Sequence, residues 1–266
     1  MLETMLVINF LAMIVIPILA GFYFARKFKL SWKLFLAGGL TFIASQILHI
    51  PFVLALTPTF QAWGLIAYAA ILGLLAELFE ETARYILFKY ILKNRKTWNE
   101  GVYVGVGHGG MEAILLGIAV ALTFVNMMAY RNIDLATVPS IPPEQLELAK
   151  QQIQAYWSAP PYLAILGVVE RIFAMCLHVS LSVMVLYGLV HMKAHWFWLA
   201  VLWHAAVDGV AVYLGQRLSP LAVEGVLAVS ASVSIWITLR MKPKLAMKNI
   251  ETEKPLEVAG QGTGRE

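Results

Sequence analysis

Apolar residues run along this chain in long blocks separated by short polar segments, and block length is the first signal to interpret. Seven stretches stand out, at 5–24, 34–56, 63–88, 102–128, 162–187, 196–214 and 221–239. Each is close to the ~20 residues that a helix needs to cross the ~30 Å hydrocarbon core of a bilayer. Lipid offers no partners for backbone N–H and C=O groups, so a spanning segment must satisfy them internally and the blocks predict helices. The fold class expected is all-α: a polytopic transmembrane helix bundle of about seven spans. The first block lacks a basic leader and outruns the apolar region of a cleavable signal, so it reads as a retained span.

Between the spans, 131–161 is the one long polar connection, punctuated by Pro139, Pro142, Pro143, Pro160 and Pro161. Inside it Leu146, Ala149, Ile153, Tyr156 and Trp157 recur at helical spacing opposite Glu144, Glu147, Lys150 and Gln151. That pattern predicts an amphipathic helix lying on the membrane interface. From Glu251 onward the chain is rich in Gly and charge with no apolar period, as in disordered tails. The organisation expected is one membrane domain over 1–245, an outer loop at 129–161 carrying the interfacial helix, and a disordered cytoplasmic tail over 246–266.

Composition sharpens this picture. The chain is 60% hydrophobic and 14% charged, with a mean hydropathy of +0.72, far from the roughly one-quarter charged balance of soluble domains. A net charge of +4 in a soluble chain would raise nucleic acid as a partner. Here the basic residues sit in short loops, as Arg26, Lys27, Lys29 and Lys33, then Lys89, Lys93, Arg95 and Lys96, then Lys193, then Arg240, Lys242, Lys244, Lys248 and Lys254. Alternate loops are poor in Lys and Arg, so the charge is a topology signal that puts the N-terminus outside and the C-terminus in the cytoplasm. The expected setting is the cell membrane, multi-pass, with lipids as partners and no nucleic acid. Cys176 is the single cysteine; it sits in an apolar run, and no disulfide framework or Cys-based metal motif is available.

An ionisable side chain at the bilayer centre costs about 2.5–3.5 kcal/mol even on the lenient insertion scale, so each one needs a reason. The third span carries Glu77, Glu80, Glu81 and Arg84, which at 100° per residue fall within an arc of roughly 100° on one helix face. Arg84 stands four residues after Glu80 and three after Glu81, both spacings at which side chains meet. The fourth span contains Gly105-Val106-Gly107-His108-Gly109-Gly110-Met111-Glu112, placing His108 and Glu112 one turn apart. His204 and Asp208 repeat that spacing in the sixth span, and the fifth offers His178, with Glu170 and Arg171 further toward its outer end. Counted from the cytoplasmic ends at 1.5 Å per residue, Glu81, His108, Glu112, His178, His204 and Asp208 all lie roughly 10–18 Å deep. A shared cavity between four helices is the natural arrangement.

Each group has a bland counterpart. A lone intramembrane His commonly bonds helix to helix, and a Glu–Arg pair commonly holds structure. The formal G-x-G-x-x-G of Gly105, Gly107 and Gly110 follows no strand, so close helix packing or access for a substrate backbone explains it better than dinucleotide binding. His49 reads as interfacial, His191 and His195 as loop residues. The coincidence of several groups at one depth is what lifts the functional reading.

Glu80-Glu81-Thr82-Ala83-Arg84, then His108, then His204-x-x-x-Asp208 resembles the motif series of the CPBP clan, which includes type II CAAX prenyl proteases and PrsW-like proteases. Within it, the EETARY, GHGGMEA and WHAAVDG stretches together with His178 most resemble the YhfC family of glutamic-type intramembrane endopeptidases. The likeness runs from the third span to the sixth. Departures from the CAAX pattern are the shorter Glu-Glu-x-x-Arg spacing, Asp208 where Asn is common, and Val104 where Phe is usual.

The resemblance implies that paired glutamates and a histidine activate water for peptide hydrolysis. Glu80 is then the base, assisted by His108; Glu81 is a second carboxylate held by Arg84; His204 and Asp208 serve the oxyanion and leaving group; His178 and Glu112 support them. The substrate expected is a membrane-embedded or membrane-proximal peptide, with no cofactor required. Two alternatives stay open. His108, His178 and His204 are ligand types for zinc, which would make a metalloprotease. Intramembrane carboxylates and histidines also mark proton- or metal-coupled transporters, and the same fold could serve as an inactive binding or immunity protein.

Overall fold

The computed structural model describes residues 1–253 apart from 62 and 140, and among these every regular element is helical. The long helices are α1 (Leu2–Phe28), α2 (Trp32–Gln61), α3 (Leu65–Ile86), α4 (Trp98–Tyr130), α6 (Leu166–Val190), α7 (His195–Gly215) and α8 (Pro220–Glu253), with a shorter α5 (Leu146–Ser158) in the long connection. Six of the seven are long and apolar enough to cross a membrane, so the protein is a multi-pass membrane protein. The exception is α3, whose acidic and basic stripe removes it from the apolar class although its 22 residues reach about 33 Å. Helix α8 continues to Glu253, through the first part of the stretch expected to be a tail; 254–266 lie outside the described residues.

Helices α4 and α6 form the centre. Helix α4 packs against α1, α2 and α6, and α6 in turn against α7 and α8, while α3 is held between α2 and α7. With little hydrophobic drive between helices in lipid, close packing needs small residues at the crossings. A Cβ on Gly107 would stand 2.1 Å from the Phe35 carbonyl oxygen of α2, and one on Gly38 would stand 2.2 Å from the Val104 oxygen of α4. On the other face of α4, a Cβ on Gly105 would meet the Val179 Cα of α6 at 2.6 Å. The glycine run is thus a packing device on two faces of one helix.

Polar side chains then fix the ends. Thr97 and Glu100 form a capping box at the start of α4, satisfying two otherwise orphaned donors. The Val168 N–H, in the first turn of α6 where no intrahelical partner exists, donates to Asn9 Oδ1 of α1 at 2.7 Å. Trp98 Nε1 donates to the Thr238 carbonyl at 2.8 Å, tying α4 to α8. Helix α5 lies outside the bundle with no buried residue; Trp157 anchors it, donating to the Met127 carbonyl at 3.3 Å beneath the Arg131 guanidinium, 4.4 Å from its ring.

Candidate active site

Helix α3 buries its whole charged stripe: Glu77, Glu81 and Arg84 are fully enclosed and Glu80 nearly so. This is possible because α7 approaches closely. A Cβ on Gly73 would meet the Ala205 oxygen at 3.0 Å and the Gly209 nitrogen at 3.1 Å, so two glycines let the α3 carboxylates reach His204. His204 Nδ1 lies 3.1 Å from Glu81 Oε1 and is in contact with Glu77 Oε2. Arg84 pairs with Glu81 one turn earlier and donates from Nη2 to His178 Nδ1 at 3.1 Å. Of the two carboxylates within its reach, Arg84 takes Glu81.

Glu80 faces the other way. Its Oε1 accepts from Gln46 Nε2 of α2 at 2.7 Å, and its Oε2 lies 3.1 Å from His108 Nε2 of α4. His178 Nε2 is 2.5 Å from Glu112 Oε2, and Glu112 pairs with Arg171, which also pairs with Glu170. The imidazoles lie in a row, His108 tilted against His178 with ring centroids 4.9 Å apart and His178 edge-on to His204 at 5.0 Å. The structure therefore gathers Glu80, Glu81, Arg84, His108, Glu112, His178 and His204 from four helices into one network. Asp208 makes no hydrogen bond to it; half-buried, it lines a cavity of about 210 Å³ together with Glu112, Arg171, His178 and His204.

Three members escaped the sequence reading of the site. Glu77 shares the α3 stripe, and its contact with His204 is what that stripe could have suggested. Gln46 is an isolated polar residue in an apolar run, and nothing in its spacing points to Glu80. His49, expected at the interface, sits mid-helix in α2 with Nδ1 3.2 Å from Gln46 Oε1, one step from the network. Glu170 and Arg171 join it through Glu112.

The donors fit a divalent cation. Glu80, His178 and His204 can each offer a ligand atom, all within 4.8 Å of one another, and so can Glu77, Glu81 and His204. These sets differ from the all-histidine triad expected for zinc: His108 belongs to neither, and its Nε2 faces Glu80. Two imidazoles and a carboxylate are a common zinc set. Glu77 Oε1, Glu81 Oε2 and His108 Nδ1 are buried with no hydrogen-bond partner among the described residues. Three carboxylates are enclosed beside the single Arg84 guanidinium, an excess of buried negative charge that protons or a cation must balance.

Fold and site together define a multi-pass membrane protein with a buried acid–imidazole centre. The chain belongs to the YhfC intramembrane metalloprotease family, whose profile matches residues 12–230. It is similar to the "Uncharacterized membrane protein YhfC" of Bacillus subtilis (strain 168), at 30% identity over 243 residues, covering 85% of this chain and 91% of that protein. No solved structure matches.

Proposed function

We propose that this chain is a metal-dependent intramembrane endopeptidase that hydrolyses peptide bonds inside the membrane, in the cytoplasmic half by the charge bias of its loops. The observation that carries the reading is the meeting of Glu77, Glu80 and Glu81 with His108, His178 and His204 in one buried network beside a cavity with room for water. Membership of an intramembrane metalloprotease family supports it, and the donor sets shift the expectation from a cofactor-free site to the zinc alternative.

His204 is common to both donor sets and would hold the metal with Glu77 and Glu81, the set that leaves Glu80 free as the base and both nitrogens of His178 in their hydrogen bonds. When bound, zinc would supply Lewis-acid activation of water and of the scissile carbonyl. Glu80, oriented on one oxygen by Gln46 and on the other by His108, takes the proton from the attacking water and returns it to the leaving amine. His178, whose Nδ1 accepts from Arg84, carries its proton on Nε2 and directs it to Glu112, and Arg171 fixes Glu112 in turn. Arg84 and Arg171 are thus positioning groups. Asp208, on the cavity wall, would meet the substrate there.

A metal-free, glutamic-type reading draws on a different observation: Arg84 already sets a cation between Glu81 and His178. The two share their residues and separate on metal content. The test of the common reading compares peptide termini in membranes from cells expressing the wild type or Glu80→Gln. New termini within apolar segments should appear with the wild type and vanish with the variant at equal expression. Identical termini in both would end the proposal.

A further inference from the structure

Away from the site, the ends of α3, α6 and α7 enclose a cavity of about 770 Å³. Its position is fixed by packing: Tyr85 of α3 stacks edge-on with Phe197 of α7, ring centroids 5.5 Å apart, so those helix ends lie at one face of the bundle. One turn of π-helix, Leu87–Ile91, finishes α3, and Met192, with φ 55°, turns the chain sharply between α6 and α7. The Lys193 N–H closes that turn onto the Gly188 carbonyl at 2.8 Å.

Charge on the walls is one-sided. Lys89, Lys93, Arg95 and Lys96 come from the segment after α3 and Lys193 from the turn after α6, and no acidic residue lines the cavity. Among the described residues, Arg95 is the one of these cations that pairs with an acid, Glu100 at 3.0 Å. Beneath these cations the wall is apolar, formed by Phe88, Leu186, Leu189 and Phe197 with the exposed Trp198 at the edge. Basic loop residues at a cytoplasmic face are a topology signal wherever they occur. Their convergence from two loops on one concave, acid-free and apolar-floored cavity goes further, since a basic pocket between helices at that face matches an anionic lipid headgroup.

We propose that this cavity binds one anionic diacyl phospholipid, its phosphate among Lys93, Lys96 and Lys193 and the start of an acyl chain along Leu186, Leu189 and Phe197. Charge complementarity selects the headgroup, and the apolar floor selects an amphiphile over a free anion. The site is independent of the proposed hydrolysis and contains none of its residues.

Full-length protein purified in detergent, exposed to phosphatidylglycerol or phosphatidylcholine of matched chains and examined by native mass spectrometry, tests this. The wild type should retain one phosphatidylglycerol with at least about tenfold preference over phosphatidylcholine, the order expected when several lysines meet one headgroup. The triple variant Lys93→Gln, Lys96→Gln, Lys193→Gln changes only exposed positions and should lose the preference while remaining monodisperse. Leu189→Trp, with every cation in place, should fill the floor and abolish retention. Glycerol 3-phosphate, which has the anion without chains, should not be held. Equal retention of both lipids, a preference that survives the triple variant, lipid retained by Leu189→Trp, or capture of glycerol 3-phosphate would each overturn the proposal.

Discussion

Arg84 donates to His178 Nδ1 at 3.1 Å while pairing with Glu81 on its own helix, and this double engagement orders the whole centre. A guanidinium has no acceptor, so His178 Nδ1 must accept, its proton must sit on Nε2, and Glu112 is the group that receives it. One residue of α3 thereby decides which way an imidazole of α6 faces a carboxylate of α4.

The first prediction follows from that pairing. Arg84→Met leaves Glu81 buried without its cation, and breaking a buried pair from one side destabilises by about 3–5 kcal/mol. Arg84→Met with Glu81→Gln removes both charges and should recover most of the loss, while activity stays absent. Thermal unfolding in detergent of the two singles and the double measures this. Additive losses would show that the pair is not the source of the stability.

A second prediction separates Glu80 from its supports. Glu80→Gln keeps the shape and still meets Gln46 and His108, so the protein should fold and lose at least about 100-fold in turnover, the lower range of base catalysis. Gln46→Leu removes one of the two bonds that orient Glu80, together with the His49 contact, and should lower turnover only partly. Should Gln46→Leu abolish activity as completely as Glu80→Gln, the division into base and positioning residue fails.

Much of this was legible before any coordinates. The apolar blocks anticipate the seven long helices because a span has a fixed minimum length, and the amphipathic stretch in the long connection anticipates α5. The α3 stripe and the one-turn pairing of His108 with Glu112 were visible because helical spacing is rigid. Partner choice across helices was not visible. Within α3 the resemblance already pointed Arg84 to Glu81, but that His204 of α7 would meet Glu81 and Glu77 depends on the approach of α7 at Gly73 and Gly209, which no spacing encodes. Gln46 gave no signal because a single polar residue in a span carries no period.

Packing supplies a third prediction. Gly107→Ala would place a methyl 2.1 Å from the Phe35 carbonyl oxygen, against backbone that cannot rotate away. Overpacking of this kind costs about 1–3 kcal/mol and sometimes more, and here it would push α2 from α4 and, through the Gln46–Glu80 bond, disturb the Glu80–His108 contact. Gly225→Ala is the control, since an added Cβ there meets nothing within 4 Å. Fluorescence-detected size exclusion should show Gly107→Ala reduced or aggregated and Gly225→Ala unchanged. A well-folded Gly107→Ala protein would mean that the α2–α4 crossing can widen enough to admit a methyl group at Phe35.

The last prediction concerns the metal. His204 is the residue shared by both buried donor sets, whereas His108 is in neither and instead faces Glu80 at 3.1 Å. His204→Ala should therefore remove the bound divalent ion, and His108→Ala should leave it bound while lowering turnover. Elemental analysis of the purified wild type should give about one zinc per chain, and removing one ligand of such a set leaves too few for a stable site. Chelation of the wild type should abolish cleavage, with zinc restoring it. The same treatment should lower the unfolding temperature of the wild type and of His108→Ala but not of His204→Ala, because a ligand bound only by the folded state stabilises it. Zinc-free wild type with full activity would select the metal-free use of these residues. Zinc lost from His108→Ala and kept in His204→Ala would mean that the ligand set has been drawn around the wrong imidazole.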